Sequence, residues 1–365
     1  MHLVCAQRAV GPIIATFMLA GCASGTTPIN PTGRTETADS QAQLATAAQP
    51  LRRSGSYALF GHPVTTPSYM DPNASSKPLL FVSDIDSQTV NIYLQGGKNK
   101  LVGQITGLEY PYALAADSAR NLYVPNEFTL GVQVYSPPYT GGPAYTLNEG
   151  DYAPSDVAVS PQGVVAIANY CTQPMCFPGS SNVVFFAAHS STPCATIPSA
   201  QGINYLLLGS FDAKGNFFTN GFDSTKHTII AETKGGCKAK KMSIISVGDN
   251  SGDMGGIHAS KSGQISILNT EAPGSEPTVL YTYGESTKHD FGDPISTAVL
   301  QGTNRTNVVT DFALDASGRN VYVPDSTDGE TNEYAYPAGG TPERTISLGS
   351  GHYVSGIAVT PPRTP

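Results

Sequence analysis

Asp84, Asn126, Asn169, Asn269 and Asp325 each close a short apolar run, and in one further run the corresponding place is taken by Gly221. Oxygen-bearing side chains at a constant place in a repeated unit can do two kinds of work. Turned toward a common axis, they could coordinate Ca²⁺, a hard cation that takes roughly six to eight oxygen ligands. Asp84 and Asp325 carry charge and are the candidate metal ligands. Turned back on their own backbone, Asp and Asn cap the turns that follow, which is the commoner use of these residues at strand ends. A second column lies seven residues before the turn acid of each unit and holds Tyr110, Tyr205 and Tyr353, with Asp253 in a further unit. Phenol rings so placed could line a ligand-binding mouth with Asn126, Asn169 and Asn269, or pack between sheets with their hydroxyls in water.

Both columns exist only because the chain repeats. Ala113 to Asn126 reads as apolar strand, polar turn, apolar strand, polar stop, and Val132-Gln133-Val134-Tyr135 follows as a third strand. The form returns at Asp156 to Asn169, Leu208 to Gly221, Gly256 to Asn269 and Asp311 to Asp325. Starts at 113, 156, 208, 256, 311 and 356 are spaced by 43, 52, 48, 55 and 45 residues. That period suits the blades of a β-propeller rather than a helical array. The last copy, Gly356 to Thr360, stops after one strand, and the first has lost that strand. In the first, Leu79 to Asp84, Val90 to Tyr93 and Gly103 to Thr106 fill the second, third and fourth places. The expected fold is therefore all-β, a six-bladed β-propeller over residues 56–365 whose C-terminal strand closes the first blade. Closure removes sheet edges that would otherwise pair with other chains, and Pro361 and Pro362 then stop the pairing. Composition agrees: 13% of residues are charged, while 38 Gly, 28 Pro and 18 Tyr favour turns and strands over long helices.

On these residues, Gly356-Ile357-Ala358-Val359, Asp117 to Val124 and Asp315 to Val323, the chain resembles the NHL and YncE-like six-bladed propellers from about Leu79 onward. The resemblance implies architecture rather than activity, since this scaffold serves binding proteins, lactonases, lyases and assembly factors alike. The calcium-dependent lactonases of the gluconolactonase type hold a metal that polarises an ester carbonyl. Their Glu-Gly-Pro and Pro-Asn-Gly segments are missing here, and Ser160-Pro161-Gln162-Gly163 is a partial echo of their turn. Virginiamycin B lyase, another propeller, uses histidine. Here His62, His189, His227, His258, His289 and His352 recur at no fixed place and define no metal triad. No G-x-S-x-G elbow occurs either.

Residues 1–21 read as a signal peptide, because the run from Ala9 to Gly21 follows Arg8 and is too short to span a bilayer. Leu19-Ala20-Gly21-Cys22 resembles the lipobox of bacterial lipoproteins, which implies lipidation of Cys22 and anchoring in the cell envelope. Ala23 and Ser24 follow where an inner-membrane retention aspartate would stand, so the resemblance favours the outer membrane. Residues 22–55, rich in Ser, Thr, Ala, Gln and Pro, should form a disordered tether. Once Cys5 and Cys22 are set aside, Cys171, Cys176, Cys194 and Cys237 remain as two potential disulfides. Three connectivities are open. The short Pro-containing segment between Cys171 and Cys176 favours that pair, which leaves Cys194 to Cys237.

A net charge of −8 argues against a nucleic-acid partner. The basic knot of Lys234, Lys238, Lys240 and Lys241 reads as a solvated hairpin. The stretch from Ser286 to Asn307, which carries Lys288-His289-Asp290, reads as a long connection that either binds or is simply solvated. Asn304-Arg305-Thr306 matches a glycosylation sequon that a bacterial source would leave idle. The expected function is a monomeric, lipid-anchored platform for an envelope protein, peptide or glycan, without evident catalysis or a certain cofactor. The alternative is a divalent-metal-dependent hydrolase or lyase, lactonase-like, using Ca²⁺ at the channel mouth.

Overall fold

Short runs of alternating apolar residues such as Leu122–Asn126 and Gly131–Tyr135 cannot satisfy their backbone groups alone, and turns between them set successive runs side by side. Among the described residues this produces six sheets. The computed structural model describes residues 64–127, 129–172, 177–224, 227–245, 254–260, 263–269, 278–285, 290–303 and 311–360. Residues 1–63 lie outside this set, so the signal segment, Cys22 and the tether do too, as do Cys176, Asp253, His289 and the sequon.

Each sheet is one blade of a six-bladed β-propeller. From the first blade to the sixth, the innermost strands are Val354–Val359, Ala115–Ala116, Tyr152–Val159, Tyr205–Phe211, Met254–Ala259 and Ala313–Leu314. The second strands are Leu79–Asp84, Leu122–Asn126, Val165–Thr172, Phe217–Phe222, Ile265–Asn269 and Asn320–Asp325. The C-terminal strand is the latch: Val359, Ala358 and Ile357 pair antiparallel with Leu80, Phe81 and Val82. Thr360 extends the seam, its hydroxyl accepting from the Leu79 amide at 2.8 Å. Gly356 is required here, because a side chain would collide with the Tyr112 carbonyl of the second blade.

The blades pack face to face through interleaved apolar residues. Between the third and fourth, the rings of Phe185 and Phe217 meet edge to face at 6.0 Å, and Phe211 lies 5.2 Å from Phe217. Burial of each such ring contributes roughly 2 kcal/mol. The same two blades are bolted outside the core by Cys194–Cys237, which joins an outer strand to the short 3₁₀ turn Gly236–Lys238. Cys171 is also oxidised.

Two features depart from expectation. Ser296–Leu300, inside the supposed long connection, is the fourth strand of the fifth blade, with Leu300 opposite Thr278. Its outward positions are polar or exposed, which hid it in the sequence. The first and fifth blades also gain a fifth strand each, Tyr69–Met70 and the parallel Gly339–Gly340.

The turns between first and second strands share one axial face and one construction. In the second and fourth blades Asp117 and Asp212 each accept from the backbone amide and side-chain amide of an Asn four residues on, all at 2.8 Å. The innermost strands begin on the opposite face.

Candidate functional site

At that opposite face the second strands end, and Asp84, Asn126, Asn169, Gly221, Asn269 and Asp325 occupy equivalent registers. The five polar side chains are all buried. Gly221 breaks the column because a Cβ there would strike the Tyr205 carbonyl. Asp84 is committed to its own loop. Its Oδ1 accepts from the amides of Asp86 and Tyr353, and its Oδ2 takes the Ser87 hydroxyl at 2.6 Å and His352 Nδ1 at 2.6 Å. Asp325 accepts from the amides of Thr327 and Asp328. Asn126 Oδ1 receives the Glu109 amide at 2.6 Å, and Asn169 Nδ2 donates to Glu149 and Asn182. The column thus closes turns and joins blades. Among the described residues, no group of three or more His, Cys, Asp and Glu side chains is placed to hold a metal ion. Both oxygens of Asp84 and Oδ1 of Asp325 already accept from these donors.

The tyrosine column is different. Tyr353 and Tyr110 precede the innermost strands of the first and second blades, and Tyr205 opens that of the fourth, each partly exposed. The third blade has Ala153 at this register but supplies Tyr170 from its second strand, stacked on Tyr205 with centroids 4.5 Å apart and planes 11° apart. Tyr112 runs nearly parallel to Tyr110 at 6.4 Å. Four consecutive blades therefore present five phenols to one region of the axis.

The electrostatics tie the group together. Burial, then the negative field of Glu127 and the presence of Tyr353, hold the Tyr110 phenol well above the usual range. Tyr112 is pushed up by burial and then by Tyr353, Tyr110, Glu127 and Tyr170. Burial raises Tyr170 first, with Tyr205 and Glu127 adding to it, and burial raises Tyr205 and Tyr353. All five phenols stay protonated at physiological pH and remain able to donate hydrogen bonds. Tyr353 is further held by the Ser326 side chain.

Deeper along the axis, Asp156 and Asp311 take the same register on opposite blades, the third and the sixth. Each carboxylate accepts an amide from the next blade, Gly209 for Asp156 and Ile357 for Asp311. Burial pushes both carboxyls up, and the repulsion of Asp311 adds to it at Asp156. His258, on the fifth blade's innermost strand, is held neutral by burial, which lowers it to about 4.

On the far rim, Lys234, Lys238, Lys240 and Lys241 form the hairpin between the third and fourth strands of the fourth blade, all exposed. With Glu232 and Ser243 they line an open recess of about 390 Å³. Lys234 pairs with Glu232 at 3.2 Å.

Tyr112, Tyr170, Glu127, Asp156 and Asp311 escaped the sequence reading. Asp156 and Asp311 were visible as the opening residues of two copies. Tyr170 directly follows the Asn169 already singled out, but only the folded chain shows that it fills the gap left by Ala153.

No protein-family model matches the chain, and no curated protein matches it. Solved structures do. A functionally unknown protein from Desulfotomaculum acetoxidans DSM 771 is similar at 11% identity and a TM-score of 0.50, over 78% of this chain and 99% of its own. A protein of unknown function from Bacteroides caccae aligns at 11% identity with a TM-score of 0.55, over the same shares. Kuenenia stuttgartiensis hydrazine synthase aligns at 14% identity with a TM-score of 0.50, over 75% of this chain and 78% of its own. At these identities the likeness concerns the fold, which is that of a six-bladed β-propeller.

Proposed function

We propose that this protein is an envelope-anchored binding platform that takes a protein, peptide or glycan at the tyrosine-lined mouth of its propeller. One observation carries the reading: five protonated phenols from four consecutive blades converge at the face where the innermost strands begin. Aromatic rings with a polar tip suit recognition, giving a large apolar contact area with a hydrogen-bonding end. The charged groups nearby are engaged in turns and inter-blade contacts, which favours binding over a metal-dependent hydrolase or lyase.

In this reading Cys22 carries lipid and the tether holds the propeller off the outer membrane as a monomer. Cys22→Ser in the expressing bacterium should release the chain from the membrane fraction. Persistence of membrane association would overturn the anchor. Peptide and glycan arrays probed with the full chain test the mouth. The combined Tyr110→Ala, Tyr205→Ala and Tyr353→Ala variant should lose the ligands that the unmodified chain retains. Equal retention by a folded variant would move the site elsewhere.

A further inference from the structure

We propose that the basic recess on the rim of the fourth blade is a second binding site, one that takes a phosphorylated sugar or polyol. It is separate from the tyrosine mouth and stands whether or not that mouth binds. Four of the chain's 20 Lys and Arg residues, Lys234, Lys238, Lys240 and Lys241, fall within eight positions of a chain whose net charge is −8. Walls of one sign repel one another when empty, and they focus the field and concentrate counter-ions. Lys234 is paired with Glu232 at 3.2 Å, whereas Lys238, Lys240 and Lys241 have no ion-pair partner among the described residues. The recess therefore keeps three positive charges in excess.

Its chemistry selects phosphate. Every cation among its lining residues is Lys. The planar fork of Arg, which matches a carboxylate, is missing from that lining, while compact ammonium groups can meet a tetrahedral oxyanion from several sides. A volume of about 390 Å³ is more than one phosphate group fills, and it lies within the roughly 300–1,000 Å³ usual for small-ligand sites. The remaining lining groups suit hydroxyls: Glu232, with a side chain 4% exposed, accepts, and Ser243, opposite it in register, donates or accepts. The hairpin is also held in place. Gly235 and Gly236 take left-handed φ values of 92° and 52°, and the 3₁₀ turn Gly236–Lys238 carries Cys237, which is bonded to Cys194 on an outer strand of the third blade. Lys238 directly follows this anchored cysteine, so less conformational freedom is lost when a ligand binds.

The test is a calorimetric titration of the full chain with glucose 1,6-bisphosphate, with glucose, and with citrate, a tricarboxylate of comparable charge. The bisphosphate should bind about tenfold more tightly than either, the margin of one charge-assisted hydrogen bond. The combined Lys238→Gln, Lys240→Gln and Lys241→Gln variant changes only exposed side chains and should lose about tenfold or more in affinity. The three-tyrosine variant should lose nothing. Cys194→Ser with Cys237→Ser keeps every lysine and, where circular dichroism shows it folded, should bind several-fold more weakly. Flotation of the Cys22→Ser chain with phosphatidylcholine vesicles, with and without phosphatidylglycerol, separates the sources of the phosphate. Binding of the free bisphosphate assigns a soluble ligand, and lysine-dependent binding to phosphatidylglycerol vesicles alone assigns a lipid headgroup. Citrate binding equal to that of the bisphosphate, or undiminished binding by the lysine or the cysteine variant, shows that loose charge suffices and overturns the site. Absence of binding to both bisphosphate and vesicles overturns it too.

Discussion

Replacing Glu149 by Gln should stabilise the protein at neutral pH, by an amount that depends on pH in a defined way. Glu149 is 5% exposed, and burial pushes its carboxyl up to about 8 against the lowering effect of the 2.8 Å bond from Asn169 Nδ2. Glu149 Oε1 and Asn169 Oδ1 are both buried without partners, an arrangement that lacks a proton donor. A protonated acid supplies one, and so does a glutamine amide. Below the ordinary value of 4.5 the carboxyl is neutral in both folded and unfolded chains and costs nothing. Between 4.5 and about 8 the unfolded chain is ionised while the folded one is not, so stability falls as pH rises. By pH 7 the loss reaches roughly 3 kcal/mol as an upper bound, and above about pH 8 it levels off. Glutamine does not titrate, so the variant escapes the loss, while the other buried acids cancel in the difference. Urea unfolding of both proteins from pH 5 to 8.5 measures it. The variant's advantage should grow with pH and then plateau; parallel curves, or a variant weaker at pH 8, would refute the burial argument.

Gly356→Ala forces a methyl into the Tyr112 carbonyl at the latch and should cost about 2–3 kcal/mol, read as a lowered urea midpoint. Deleting the chain from Ser355 onward removes the residues paired with Leu80, Phe81 and Val82 and should abolish cooperative melting, because the first blade loses its inner strand. Reduction of Cys194–Cys237, or Cys194→Ser, frees a loop of 43 residues and should destabilise by up to about 4 kcal/mol in denaturant titration. Calcium and chelator should leave the melting temperature unchanged, since both Asp84 oxygens and Asp325 Oδ1 already accept hydrogen bonds within their own loops and strands; a calcium-dependent rise of several degrees would restore the hydrolase reading.

The fold was legible because its units are local: strand, turn and strand fit within about fourteen residues, and Asp117, Asp212 and Asp315 mark the turns. The latch followed from counting, since the first copy lacked the strand that the last supplied. Ser296–Leu300 was missed because a short outer strand with polar or exposed outward positions carries little periodic signal. The site was legible in part. Tyr110, Tyr205 and Tyr353 share a register that repetition exposes. Tyr170 and Glu127 reach the same region from second-strand ends, and Asp156 feels Asp311 from a blade 155 residues further along the chain. Such convergence belongs to the closed ring, not to any single copy.

Hydrogen exchange on the full chain, with and without an array-selected ligand, locates the binding face most directly. The account predicts slowed exchange at Tyr110, Tyr112, Tyr170, Tyr205 and Tyr353 and their neighbours, on four consecutive blades at once. Slowing confined to the outer strands or to the Lys234 to Lys241 hairpin, with the tyrosines unaffected, would contradict it.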